Sequence, residues 1–136
     1  MGALADAALG GGGEVIGVIP RILESREVAH SSLTKLHVVE SMHERKALMT
    51  EHADAFLALP GGYGTLDELF EAITWRQLGY HDKPSGILDV EGYFEGLLAY
   101  INRATGDGFV HDAERATLVI GTDPAAIIDV LLPASG

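Results

Sequence analysis

The chain has 136 residues, 47% hydrophobic and 21% charged, which suits one globular domain with a buried core and excludes intrinsic disorder. Twenty acidic against nine basic residues give a net charge of −11, which argues against binding to nucleic acid or to an anionic membrane surface. With no cysteine, disulfides, thiolate metal sites and a cysteine nucleophile are excluded.

In chain order, residues 3–9 form a short alanine-rich helical piece, stopped by a run of four glycines at 10–13, where backbone entropy disfavours continuation. Residues 15–19 (VIGVI) are a compact apolar run ended by Pro20 and read as a buried strand. Residues 21–34 read as a connecting loop with room for a helical turn, and 36–39 as a second strand. Ser41 can cap a helix running to about Glu51, with Met42, Arg45 and Met49 on one side.

Residues 55–59 (AFLAL) are the clearest strand, closed by Pro60-Gly61-Gly62-Tyr63-Gly64. Thr65 is expected to open a helix to about Leu78, whose Leu66, Leu69, Phe70 and Ile73 make one apolar stripe that must pack on the sheet. A strand at 85–90, a helix at 93–105 and a strand at 117–120 follow, and Asp123 caps a last helix containing Ile127, Ile128 and Leu131. Strands separated by helices of this length need crossover connections. The expected fold is therefore α/β and Rossmann-like, a single domain over 1–136 with a mostly parallel sheet and helices on both faces.

No apolar stretch reaches the roughly 18 residues of a membrane span, and the first residues lack the basic region and apolar core of a signal peptide. The expected compartment is the cytoplasm. The six histidines are scattered without paired spacing, so neither a catalytic metal nor another cofactor is expected.

In open α/β sheets ligands bind beyond the carboxyl ends of the strands, and residues 60–65 sit at such an end. Gly61, Gly62 and Gly64 remove Cβ atoms where backbone must approach a ligand or take positive φ. The helix that follows turns unsatisfied N–H groups and the positive end of its dipole toward the loop, which suits a phosphate. The element is neither a Walker loop nor a G-x-G-x-x-G fingerprint, and a tight turn that merely needs glycines is the plain alternative. Thr65-Leu66-Asp67-Glu68 fits S/T-x-x-E, so Glu68 is either a reciprocal cap or a carboxylate beside the ligand space. Glu44, Arg45 and Lys46 lie beyond the second strand. They are either a solvated face or, through Arg45, a bidentate phosphate or ribose contact.

Two motifs together carry a resemblance. Residues 41–47 (SMHERKA) and 60–68 (PGGYGTLDE) are similar to the MHERKA and PGGxGTxxE signatures of the Lonely Guy family, the cytokinin riboside 5′-monophosphate phosphoribohydrolases. Residues 12–20, 71–75 and 81–84 also resemble that family's text, so the likeness runs over nearly the whole chain. It implies hydrolysis of the N-glycosidic bond of an N6-substituted adenosine 5′-monophosphate to the free base and ribose 5-phosphate. It further implies Arg45 and Glu68 at the catalytic positions, Gly61, Gly62, Gly64 and Thr65 in the phosphate loop, and Met42 and Lys46 in substrate binding. A homodimer is also implied.

Family members often carry the label lysine decarboxylase. None of Lys35, Lys46 and Lys83 sits in a context recognisable for a Schiff base. Family members usually begin with a strand carrying Gly-Ser-Ser, and a helix, a second strand and a glycine-rich stretch follow. Here Met1-Gly2 resembles the end of that stretch, so a βαβ unit of about 30 residues or more is expected to be missing. The cause is either a start placed at an internal methionine or a naturally shortened chain, the first being favoured because loss of central strands would expose sheet edges. A nucleotide-binding module without turnover and a general AMP nucleosidase are the competing functions.

Overall fold

The computed structural model describes residues 2–24 and 33–133. The chain divides into two compact units, one ending at His52 and one beginning at Ala53.

The first unit opens with α1 (Gly2–Gly10), which the glycine run ends as expected. Strand β1 (Ile16–Pro20) is followed by the one-turn helix α2 (Arg21–Glu24), which fills the start of the expected connection; residues 25–32 of that stretch lie outside the described residues. Strand β2 (Lys35–Val39) pairs with β1 in parallel, Ile16 opposite Lys35 and Pro20 opposite Val39. Proline supplies no ladder N–H, and β1 tolerates it because, paired only with β2 among the described residues, it is an edge strand. Helix α3 (Met42–His52) then packs against β1 and β2. Ser41 caps it as expected, its Oγ accepting from the Glu44 N–H at 3.1 Å.

The second unit carries β3 (Phe56–Ala58), α4 (Tyr63–Gln77), β4 (Ser85–Leu88), α5 (Glu95–Gly106), α6 (Asp112–Arg115), β5 (Leu118–Gly121) and α7 (Pro124–Leu131). Its sheet runs β3-β4-β5, parallel throughout, with Phe56, Ser85 and Leu118 in one row. Successive residues of a strand face opposite sides, and both sides are covered. On one side Ala58, Ile87 and Leu118 pack with Leu69 of α4, Phe94, and Ile101 of α5. On the other, Leu57, Leu88 and Val119 pack with Ile127 and Leu131 of α7. The close seat of α7 depends on two glycines in the strands. A Cβ at Gly86 would lie 2.9 Å from Leu131 Cδ1, and one at Gly121 would lie 3.0 Å from Ile127 Cβ. Asp123 caps α7, its Oδ1 accepting from the Ala126 N–H at 2.8 Å.

The α/β class, with parallel strands and helices on both faces, is thus as the sequence led one to expect. Two local expectations are corrected and one element is added. Helix α4 begins at Tyr63, two residues before Thr65, because Gly62 takes the N-cap position. Phe70 lies at the margin of the α4 stripe and is 37% exposed, whereas Leu66, Leu69 and Ile73 face the core. The single turn α6 was not foreseen; it is too short to show a hydrophobic period.

Candidate functional site

The candidate residues fall in the two units and are described within each. In the first unit Met42, Arg45 and Lys46 stand on the first turns of α3, just beyond the carboxyl end of β2. Met42 is exposed, and Arg45 and Lys46 are half-buried. Arg45 does not stand as a solvated charge. Its Nε donates to the Val18 carbonyl of β1 at 3.1 Å, so the guanidinium is tied to the sheet and its plane is oriented. Beyond the same strand ends, Arg21 Nε and Nη2 both donate to Glu40 Oε1 at 3.0 and 2.7 Å, which holds the Glu40 carboxyl below its ordinary value.

In the second unit, residues 60–65 lead from β3 into α4, the longest helix among the described residues. None of Gly61, Gly62 and Gly64 takes positive φ, so the turn itself does not demand glycine there. Gly61 is required by close approach instead: a Cβ would lie 2.1 Å from Thr65 Oγ1 and 3.0 Å from Thr65 Cβ. A Cβ at Gly62 or Gly64 would meet nothing within 4 Å. The missing side chains at those two positions leave backbone amides approachable from outside.

Gly62 as N-cap offers no side chain to the first turn of α4. The first α-helical backbone bond runs from the Leu66 N–H to the Gly62 carbonyl at 3.3 Å. The amides of the first turn and the positive helix end are therefore what this loop presents. Thr65 lies in the first turn, with its hydroxyl packed on Gly61 and not at the N-cap. This removes the reciprocal-cap reading of Glu68, since the S/T-x-x-E pattern caps a helix only where its first residue is the N-cap. Glu68 lies instead in the second turn of α4, half-buried, one turn beyond the glycine loop.

Sequence reasoning missed one residue of this loop's surroundings. Tyr93 Oη donates to the Gly61 carbonyl at 2.8 Å. The tyrosine is carried by a tight turn after β4 that closes through the Tyr93 N–H to the Val90 carbonyl at 3.0 Å, with Glu91 and Gly92 both at positive φ. Its position beyond the carboxyl end of a strand was the signal available. Away from this loop, an open groove of about 440 Å³ runs along α4, lined by Leu66, Asp67, Phe70, Glu71, Thr74 and Trp75. Among the described residues no helix is long and apolar enough to cross a membrane.

Comparison with known proteins bears on most of the chain. Residues 1–131 match a family described as "possible lysine decarboxylase". A cytokinin riboside 5′-monophosphate phosphoribohydrolase of Arabidopsis thaliana is 51% identical over 119 residues, 88% of this chain and 56% of the relative. A probable cytokinin riboside 5′-monophosphate phosphoribohydrolase of Oryza sativa subsp. japonica is 47% identical over 131 residues, 96% of this chain and 54% of the relative. A further Arabidopsis thaliana phosphoribohydrolase of that name is 50% identical over 119 residues, 88% of this chain and 55% of the relative. The chain spans about half the length of the curated relatives it matches.

Proposed function

Since the chain belongs to the family described as "possible lysine decarboxylase", the Lonely Guy family of the sequence resemblance, we propose that it hydrolyses adenosine 5′-monophosphates substituted at N6. In this reaction the bond from C1′ of the ribose to the base nitrogen breaks, water oxygen bonds to C1′, and a water proton goes to the departing base. The products are a cytokinin base and ribose 5-phosphate. The observation that carries the reading is the start of α4 at the carboxyl end of a parallel strand, with Gly62 as an N-cap that offers no side chain to the first-turn amides. Such an element presents backbone amides to a phosphate. Gly61, Gly62, Gly64 and Thr65 form that cradle, with Met42 and Lys46 assisting in substrate binding.

Glycosidic cleavage passes through an oxocarbenium-like state, with positive charge developing on the ribose. The Glu68 carboxylate stabilises that charge and holds the ribose hydroxyls or the attacking water. Arg45, its guanidinium oriented through the Val18 carbonyl, holds the nucleotide and supports negative charge on the phosphate or base. The reaction needs no metal or cofactor. The decarboxylase label draws little support, since a pyridoxal enzyme needs a Schiff-base lysine and the chain offers Lys35, Lys46 and Lys83 in no such setting. The protein is taken to be cytoplasmic. It is also taken to be a homodimer, a reading supported by the partly apolar groove along α4.

The test supplies the protein with AMP and isopentenyladenosine monophosphate, and measures base and ribose 5-phosphate. Both products are expected, and Glu68→Ala or Arg45→Ala should lower their release about 100-fold or more with circular dichroism unchanged. Near-wild-type release by either folded variant removes that residue from the machinery. Nucleotide binding without product would make the chain a binding module, and turnover of AMP equal to that of isopentenyladenosine monophosphate would make it a general nucleosidase.

A further inference from the structure

We propose that Tyr93 is a positioning residue for phosphate recognition, acting through the Gly61 carbonyl; the proposal rests on the phosphate reading of the glycine loop given above. A loop of glycines presents amides well only if its peptide planes are held still, because glycine itself restrains φ and ψ least. Two contacts fix the first of these planes. From within the loop, the Thr65 side chain packs on Gly61 so closely that no Cβ fits between them. From outside, the Tyr93 hydroxyl donates to the Gly61 carbonyl at 2.8 Å. That carbonyl belongs to the same peptide as the Gly62 N–H, so a bond to one end of the plane sets the direction of the other.

Tyr93 is itself restrained. Its ring meets Phe94 edge-on at 5.1 Å between centroids, and Phe94 is a core residue at 3% exposure. The Phe94 N–H is held by Asp89 Oδ1 at 2.8 Å, and the Asp89 N–H by the Gly121 carbonyl at 2.8 Å. A continuous set of bonds thus runs from the carboxyl ends of β4 and β5 through the turn to the loop. The tyrosine touches no reacting atom in this scheme. Its hydroxyl orients amides that receive the phosphate, so its loss should be felt by phosphate-bearing ligands alone.

The test compares wild type, Tyr93→Phe and Tyr93→Ala, using AMP, ribose 5-phosphate and adenosine as probes. Loss of one neutral hydrogen bond should raise KM for AMP and the inhibition constant of ribose 5-phosphate about fivefold in Tyr93→Phe. Under the proposal kcat stays within about twofold, the Kd for adenosine is unchanged, and Tyr93→Ala is no better than Tyr93→Phe. Wild-type behaviour of Tyr93→Phe overturns it, as does an equal loss of affinity for adenosine, which would mark a general structural role. Should the wild type bind AMP without releasing base, the hydrolase reading falls. The positioning role is then read by calorimetry as the same fivefold weakening for AMP in Tyr93→Phe. Failure of the wild type to bind AMP overturns both.

Discussion

Gly61 and Gly64 stand in one motif, yet they lack side chains for different physical reasons. At Gly61 a methyl group collides with Thr65. Gly61→Ala is therefore expected to cost about 1–3 kcal/mol of stability, a price of overpacking that thermal unfolding would register. Gly64 lies within α4 with open space around the position of a Cβ. Gly64→Ala should leave stability unchanged or raise it by about 0.5–1 kcal/mol, since alanine is the better helix former. If backbone approach by a phosphate is why glycine stands there, the same variant weakens AMP binding while melting no earlier than the wild type. A stability gain with unchanged AMP affinity would count against the phosphate cradle. The residue types of this loop were legible in the sequence, but their separate duties were not. Spacing cannot distinguish a glycine that avoids a neighbour from one that admits a ligand. Tyr93 escaped notice for a related reason, because its partner is a backbone carbonyl and no side-chain pattern signals that.

At the scale of elements, the strands and most helices could be read because their apolar periods and end signals agreed. Asp123 before Pro124 marked the start of α7, and the Asp123 Oδ1 bond to the Ala126 N–H realises it. Asp123→Ala should cost about 1 kcal/mol, measured as a lower denaturant midpoint. Asp123→Ser should recover most of that, since serine also accepts from a first-turn amide. The start of α4 was misjudged because Thr65 and Glu68 satisfy a capping pattern, whereas the chain is already helical at Tyr63 and Gly64. Tertiary packing of Leu66, Leu69 and Ile73 on the sheet outweighs the poor helix propensity of the glycine. The order β3-β4-β5 was beyond the sequence altogether, since periodicity says which face a residue takes but not which strand lies beside it.

For the molecule as a whole, His81 gives stability a pH dependence. Burial is the main cause that pushes its imidazole below the ordinary value of 6.5, reinforced by the Lys83 charge and lesser effects of Arg76, with the Ala72 carbonyl and Asp82 opposing. Its Nδ1 accepts from the Lys83 N–H at 3.2 Å, and its ring lies 5.3 Å from that of Phe56. The unfolded chain takes up the proton first as pH falls, so stability is full above about 6.5 and declines below it. The decline ends once the folded imidazole is also protonated. Melting temperatures measured downward from pH 7.5 should fall through this window, and less so in His81→Asn; parallel curves for the two proteins would remove His81 as the cause. The uniformly parallel pairing has a different outcome, in time and not in energy. Ile16 finds Lys35, Phe56 finds Ser85, and Ser85 finds Leu118, so among the described residues no pair of strands can zip from a tight hairpin. Each ladder must wait for an intervening helix or loop to collapse and close a long segment, which places refolding nearer milliseconds to seconds than microseconds. A nascent chain leaving the ribosome cannot complete the β3-β4-β5 sheet until Leu118 has emerged.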